Sequence, residues 1–153
     1  LFAKRYPKDP LATEVAFIRA ESLLQAGKRA DAAAAFEQLA AAYPDSPNRE
    51  QWQLRIGTAY FFADNFEKAE PVLTQLVKAT QDAAVKGEAL FLLGASAFKQ
   101  AKYPQAIERL TQSIAIEPAW TGVDEAYLIL AEAYSKSGDD AQAKSTLEQL
   151  LSK

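Results

Sequence analysis

Cysteine, histidine and methionine are all absent from this sequence of 153 residues. Without cysteine there is no disulfide and no thiol nucleophile, and without histidine there is no imidazole base. Lacking both, the chain has no Cys/His zinc site. The missing cysteine suits a reducing or an oxidising compartment equally. With no methionine the natural start is not represented, and the chain reads as a processed or excised piece of a longer one. Basic residues number 17 against 20 acidic ones, a formal net charge of −3, so there is no surplus to neutralise the phosphates of a nucleic acid. No apolar run approaches the roughly 18 residues of a membrane-spanning helix. The opening Leu1-Phe2-Ala3-Lys4-Arg5-Tyr6-Pro7 is too short and too polar for a signal peptide. Period-two alternation and hairpin turns such as Asn-Gly are missing, which excludes strands. Glycine-rich phosphate loops are missing too. What remains is 49% hydrophobic and 24% charged, an ordinary globular balance with material for a core.

That material is periodic. Tyr6-Pro7-Lys8-Asp9-Pro10 returns as Tyr43-Pro44-Asp45-Ser46-Pro47, a shift of 37. The same shift aligns Ala32, Ala69, Ala106 and Ala143. It also aligns small residues (Ala20, Gly57, Gly94, Ala131) and two sets of large apolar ones. The first of those sets is Phe36, Leu73, Leu110 and Leu147; the second is Phe17, Leu54, Phe91 and Leu128. Several independent columns in one register imply tandem units. They cover residues 13–49, 50–86, 87–123 and 124–153, the last truncated, with 1–12 closing a preceding unit. Leu1-Phe2-Ala3 aligns with Gln38-Leu39-Ala40, inside the second helix of such a unit.

Each unit reads as two helices. Ile56, Gly57 and Tyr60 form one apolar face, a break follows at Ala63-Asp64-Asn65, and Ala69, Leu73, Leu76 and Val77 resume the 3.6-residue rhythm. Asp9 before Pro10 and Ser46 before Pro47 predict capped helix starts with proline at the first position. Thr121 with Asp124 predicts a capping box. Gly27 and Gly138 mark breaks, and Asp139-Asp140 after Gly138 predicts a cap. Pro104 suits a first turn, whereas Pro71 lies late enough to predict a kink. The fold class is all-α, a solenoid of antiparallel helix pairs with a period of 37.

These columns resemble the tetratricopeptide repeat family, whose pattern has a small residue, an aromatic, alanine, a large apolar residue and proline at fixed positions. Gly57, Tyr60, Ala69 and Leu73 match it in the second unit. Gly94, Ala106, Leu110 and Pro118 match in the third, and Ala131, Tyr134, Ala143 and Leu147 in the fourth. The first unit has Ala20, Leu23, Ala32, Phe36 and Pro44. Departures are Arg19 in a leucine column, Ala97 in an aromatic one, Ser113 in an alanine one and Gln81 for proline. The resemblance implies a right-handed superhelix. The period exceeds the family's usual 34, and the excess predicts a first helix one turn longer. The Tyr-Pro-x-x-Pro link is similar to that of bacterial cell-envelope members, the periplasmic Tol–Pal component and the lipoprotein of outer-membrane β-barrel assembly. That likeness favours a periplasmic or outer-membrane-associated location over a cytoplasmic one.

Catalysis has little to work with. Ser96-Ala97-Phe98-Lys99 matches the Ser-x-x-Lys of penicillin-binding enzymes, but the companion motifs are missing and the match is of accidental length. No enzyme activity, cofactor or metal is expected.

A surface is the better candidate. Beside the core face of each first helix runs a second stripe at i, i+4, i+7: Phe17, Glu21, Leu24; Leu54, Thr58, Phe61; Phe91, Ala95, Phe98; Leu128, Glu132, Ser135. Phe62 adjoins Phe61. In the family these columns line the concave groove where partners bind. Fused across units they would form one apolar strip, an expected interaction site, with Glu21 near one end and Lys99 and Lys136 near the other. Phe62 and Phe98 are assigned to the groove more strongly than Leu54 and Leu128, which are also suited to packing between units. Apolar residues in the family's lysine clamp column (Phe17, Leu54, Phe91, Leu128) argue against binding a chaperone's C-terminal carboxylate, and they argue against RNA reading.

The expected function is therefore a non-catalytic scaffold or adaptor that takes a partner protein's amphipathic helix or extended peptide in an apolar groove. It would belong to a larger protein of a cell-envelope complex, with no nucleic acid and no direct membrane insertion. Burying two or three phenylalanines would supply roughly 5 kcal/mol, hence micromolar binding. The alternative is a structural unit that self-associates through its ends, since Leu147, Leu150 and Leu151 face outward with nothing after them.

Overall fold

The computed structural model describes residues 10–116 and 121–152. Among the described residues there are eight helices and no strand. They are α1 (Pro10–Gln25), α2 (Arg29–Ala42), α3 (Arg49–Phe62) and α4 (Phe66–Ala79), followed by α5 (Ala83–Lys99), α6 (Tyr103–Ile116), α7 (Val123–Lys136) and α8 (Asp140–Leu151). Successive helices pack as pairs in α1–α2, α5–α6 and α7–α8.

The break within each pair is the same turn four times. Gly27, Asp64, Ala101 and Gly138, spaced by 37, all have left-handed backbone, with φ of 73°, 53°, 58° and 84°. After each, the next amide reaches back five residues. Lys28 donates to the Leu23 carbonyl, Asn65 to Tyr60, Lys102 to Ala97 and Asp139 to Tyr134, each at 2.9 Å. This 6→1 closure satisfies carbonyls that the helix end would otherwise strand. The following helix starts on a side-chain cap in two pairs. Asn65 Oδ1 accepts from the Lys68 amide at 3.3 Å, and Asp139 Oδ1 accepts from the Gln142 amide at 3.1 Å.

Between pairs the starts differ from expectation. Ser46 does not cap a helix beginning at Pro47. Its Oγ accepts from the Asn48 amide at 3.2 Å, closing a local turn, and α3 begins at Arg49. A hydroxyl that bonds two residues ahead forms a turn in place of a cap. Thr121 makes no capping box either, because Gly122 occupies the cap position of α7 without a side-chain bond. Asp82 provides the cap of α5 instead, accepting from the Val85 amide at 3.0 Å. Pro10 does open α1, while Asp9 and Pro118 lie outside the described residues, as does the Leu1-Phe2-Ala3 segment. The longer first helix holds for α1 and α5, with 16 and 17 residues. It fails for α3 and α7, with 14 each; ahead of α3 the extra residues sit in turns. Helix α4 continues through Pro71 to Ala79.

The chain divides into two compact units after Val72. In the first, α1 packs on α2 and α2 on α3, around the fully buried Ala20, Ala32 and Phe36. In the second, α5 packs on α6, α6 on α7 and α7 on α8, with a lesser contact of α5 with α7. Its core holds Leu73, Leu90, Ala106 and Leu110. Small side chains let two helix axes approach, and the large residue one helix later fills the space beside them. Each such Phe or Leu, wholly removed from water, contributes about 2 kcal/mol. Ser113, in an alanine column, is accommodated because its hydroxyl donates to the Gly87 carbonyl at 2.6 Å.

Candidate functional site

In the first unit, helices α1 and α3 bring the expected site residues together on neighbouring faces. Phe17 is half-buried, its ring edge-on to Phe36 with centroids 5.9 Å apart. Glu21 meets Arg55 across the two helices, Oε1 to Nε at 3.0 Å. Leu24 is half-buried. On α3, Leu54, Thr58 and Phe61 are buried. The Thr58 hydroxyl turns back to the Leu54 carbonyl at 2.9 Å, and the Phe61 ring lies 5.3 Å from Phe62 and 6.2 Å from Phe66. Phe62 is 45% exposed, with the Arg29 guanidinium 5.9 Å above its ring.

In the second unit Phe91 is buried and Phe98 half-buried, 5.9 Å from the Tyr103 ring. Lys99 and Lys136 are exposed, and Leu128 is 52% exposed.

Four members of the expected strip, Leu54, Thr58, Phe61 and Phe91, are buried, at 3–8% exposure, and offer little surface as the chain stands. An apolar column at helical spacing reports that a face is covered, not what covers it. Leu128, which the spacing also suited to packing, stands open. Ser96 is buried as well, so a hydroxyl that no substrate reaches replaces the apparent Ser-x-x-Lys motif.

What lies open beside Phe17 is a groove of about 490 Å³ between α1 and α3. Thr13, Glu14 and Phe17 form one wall; Asn48, Gln51, Trp52 and Arg55 form the other. Of these only Phe17 belongs to the expected strip. Gln51 and Arg55 sit about one turn upstream of Leu54 and Thr58, and all the other lining residues but Trp52 are polar, so a search along apolar columns passes over them. The readable signal was the i, i+4 spacing of Gln51 and Arg55. Amide, hydroxyl, carboxylate and guanidinium groups thus surround two aromatic rings, of which Trp52 offers only 3% of its surface. The Glu21–Arg55 pair holds the walls in register more than it stabilises them, since partly exposed pairs contribute about 0–1 kcal/mol.

A second link ties α2 to α3. The Tyr60 hydroxyl donates to Glu37 Oε1 at 2.6 Å, with Lys68 Nζ 5.4 Å from its ring centroid. Burial, and then the Glu37 carboxylate, push the phenol up to about 12.

Among the described residues no group of three or more carboxylates could hold a metal ion, and no helix is long and apolar enough to cross a membrane.

Helix pairs closed by a left-handed residue, with small-residue crossings repeated every 37 positions, define a protein of the tetratricopeptide class. The chain belongs to the outer membrane lipoprotein family YfiO, which it matches over residues 8–115. Residues 97–153 also match a tetratricopeptide repeat family. No curated protein sequence matches the chain. Its fold is shared with several solved structures. The kinesin light chain TPR-like repeats of Podosopora anserina align at a TM-score of 0.76 and 21% identity, over 95% of this chain and 76% of that one. MamA of Desulfovibrio magneticus RS-1 aligns at 0.78 and 18%, over 98% and 78%. BtubC of P. vanneervenii aligns at 0.80 and 17%, over 93% and 63%. Repeats of this class mediate protein–protein interaction and are typically non-catalytic.

Proposed function

We propose that the chain is a non-catalytic adaptor that binds an extended segment of a partner protein in the groove between α1 and α3. The groove's mixed lining carries this reading. An extended peptide exposes its own N–H and C=O groups, which a helix keeps for itself. Asn48 and Gln51 side-chain amides can donate to and accept from such a backbone, while Phe17 takes an apolar side chain beside it. A volume of about 490 Å³ lies in the range of ligand-sized clefts and accommodates a few residues. Membership of an outer membrane lipoprotein family supports a place in a cell-envelope complex.

Peptides selected from a displayed library against the chain test the reading. Gln51→Ala and Asn48→Ala should each weaken the selected peptides about tenfold, the loss of one buried hydrogen bond, with the helical signal unchanged. Binding that ignores both substitutions but disappears with Phe62→Ala and Phe98→Ala would return the site to the aromatic strip. Recovery of the protein from expressing cells in the cytoplasmic fraction alone would contradict the envelope location.

A further inference from the structure

The groove between α1 and α3 carries an unbalanced charge. Its one cation, Arg55, is engaged through Nε with Glu21 Oε1 at 3.0 Å, so those two charges offset one another. Glu14 has no such counterpart. It lines the groove, is exposed, and makes no hydrogen bond or ion pair among the described residues. The remaining charge is negative and sits on the α1 wall.

The repeat keeps this column free of cations. Shifts of 37 carry Glu14 onto Gln51, Glu88 and Glu125, so every unit places a carboxylate or an amide there and none a lysine or arginine. Glu14 and Gln51 thus hold equivalent places on α1 and α3, and both line the groove.

Phe17 adds a second requirement. It lies three residues after Glu14 on the same side of α1, a spacing that sets side chains about 5–6 Å apart. Its half-buried ring offers apolar surface and a π face. A ring and a carboxylate so placed suit a basic side chain, whose methylene stem covers the ring while its charged head reaches the carboxylate. An acidic side chain would be repelled by Glu14 and would find Arg55 already engaged. A wholly apolar one would strip water from Glu14 and give nothing back.

We infer that the partner segment inserts an arginine or lysine here, its stem against Phe17 and its cation on Glu14. The inference rests on the groove reading above and adds the chemistry of the occupant.

Peptides selected from a random displayed library, and single-site variants of the tightest one, test it. One peptide position should be enriched in Arg and Lys. Replacing that residue by Gln should weaken binding about tenfold, and by Glu still more. Glu14→Gln should weaken the basic peptide about fivefold and leave its Gln variant unchanged. Glu14→Lys should turn the preference toward the Glu variant. The peptide substitutions carry the test on the unaltered protein, whatever either Glu14 variant does to the fold. Selected peptides that shift the Thr13, Phe17 and Gln51 amides but have no basic position, or prefer an acidic one, would overturn this inference and leave the groove reading standing. Peptides that shift neither α1 nor α3 would overturn both.

Discussion

Gly94 of α5 and Leu110 of α6 approach so closely that a Cβ on the glycine would lie 2.6 Å from Leu110 Cγ and 3.1 Å from its amide nitrogen. The neighbour is the root of a side chain and the backbone itself, so neither can swing away. Gly94→Ala should destabilise the fold by about 1–3 kcal/mol, the ordinary cost of overpacking, and lower the urea midpoint. An unchanged midpoint would mean that the helix crossing has slack.

The left-handed turns predict a change in the other direction. Ala101 holds φ at 58°, a conformation that costs an L-residue about 1 kcal/mol relative to glycine. Ala101→Gly should therefore raise the melting temperature by about 2–4 °C. Gly138→Ala should do the reverse: nothing lies within 4 Å of the added Cβ, so φ alone sets its cost.

Tyr60 makes stability depend on alkaline pH. Its phenol in the unfolded chain ionises at the ordinary 10.0, whereas in the fold it keeps its proton to about 12. The stabilisation is complete below pH 10 and is lost as the pH climbs from there through 12. Tyr60→Phe should cost about 1–2 kcal/mol at neutral pH, the bond to Glu37. The gap to the parent should then narrow through the alkaline range. Denaturant titrations of both proteins at a series of pH values measure this directly, and a gap that stayed constant would contradict it.

Adjacent phenylalanines separate core from surface. Phe61→Ala should cost about 3 kcal/mol or more, as buried phenylalanines do. Phe62→Ala, losing a half-exposed ring and a cation–π contact with Arg29, should cost under about 1 kcal/mol. Chemical unfolding of the two variants checks the assignment.

The helix pairs were legible in the sequence because four copies of each column vote together: Ala20, Gly57, Gly94 and Ala131 need the same space for the same reason. Two of the four turns were equally plain, at Gly27 and Gly138, since glycine advertises positive φ. The break at Ala63-Asp64-Asn65 was legible from the interrupted rhythm, but the turn at Ala101 was not, because there the flanking helices impose the geometry on a residue that does not prefer it. The starts misjudged at Ser46 and Thr121 share a cause. A hydroxyl near a helix can serve a turn as well as a cap, and only the backbone path decides between them. For the site, spacing identified which side chains are apolar but not that Leu54 and Phe91 are roofed over while Leu128 is open. The polar wall of Asn48, Gln51 and Arg55 left no apolar trace to follow.

Amide chemical-shift mapping of the labelled chain, titrated with a selected extended peptide, tests the groove most directly. The account predicts that the largest perturbations fall on Thr13, Phe17, Gln51, Trp52 and Arg55, on the two helices that wall the cleft. Perturbations confined to Phe62, Phe98, Leu128 and Lys136, with α1 silent, would contradict it.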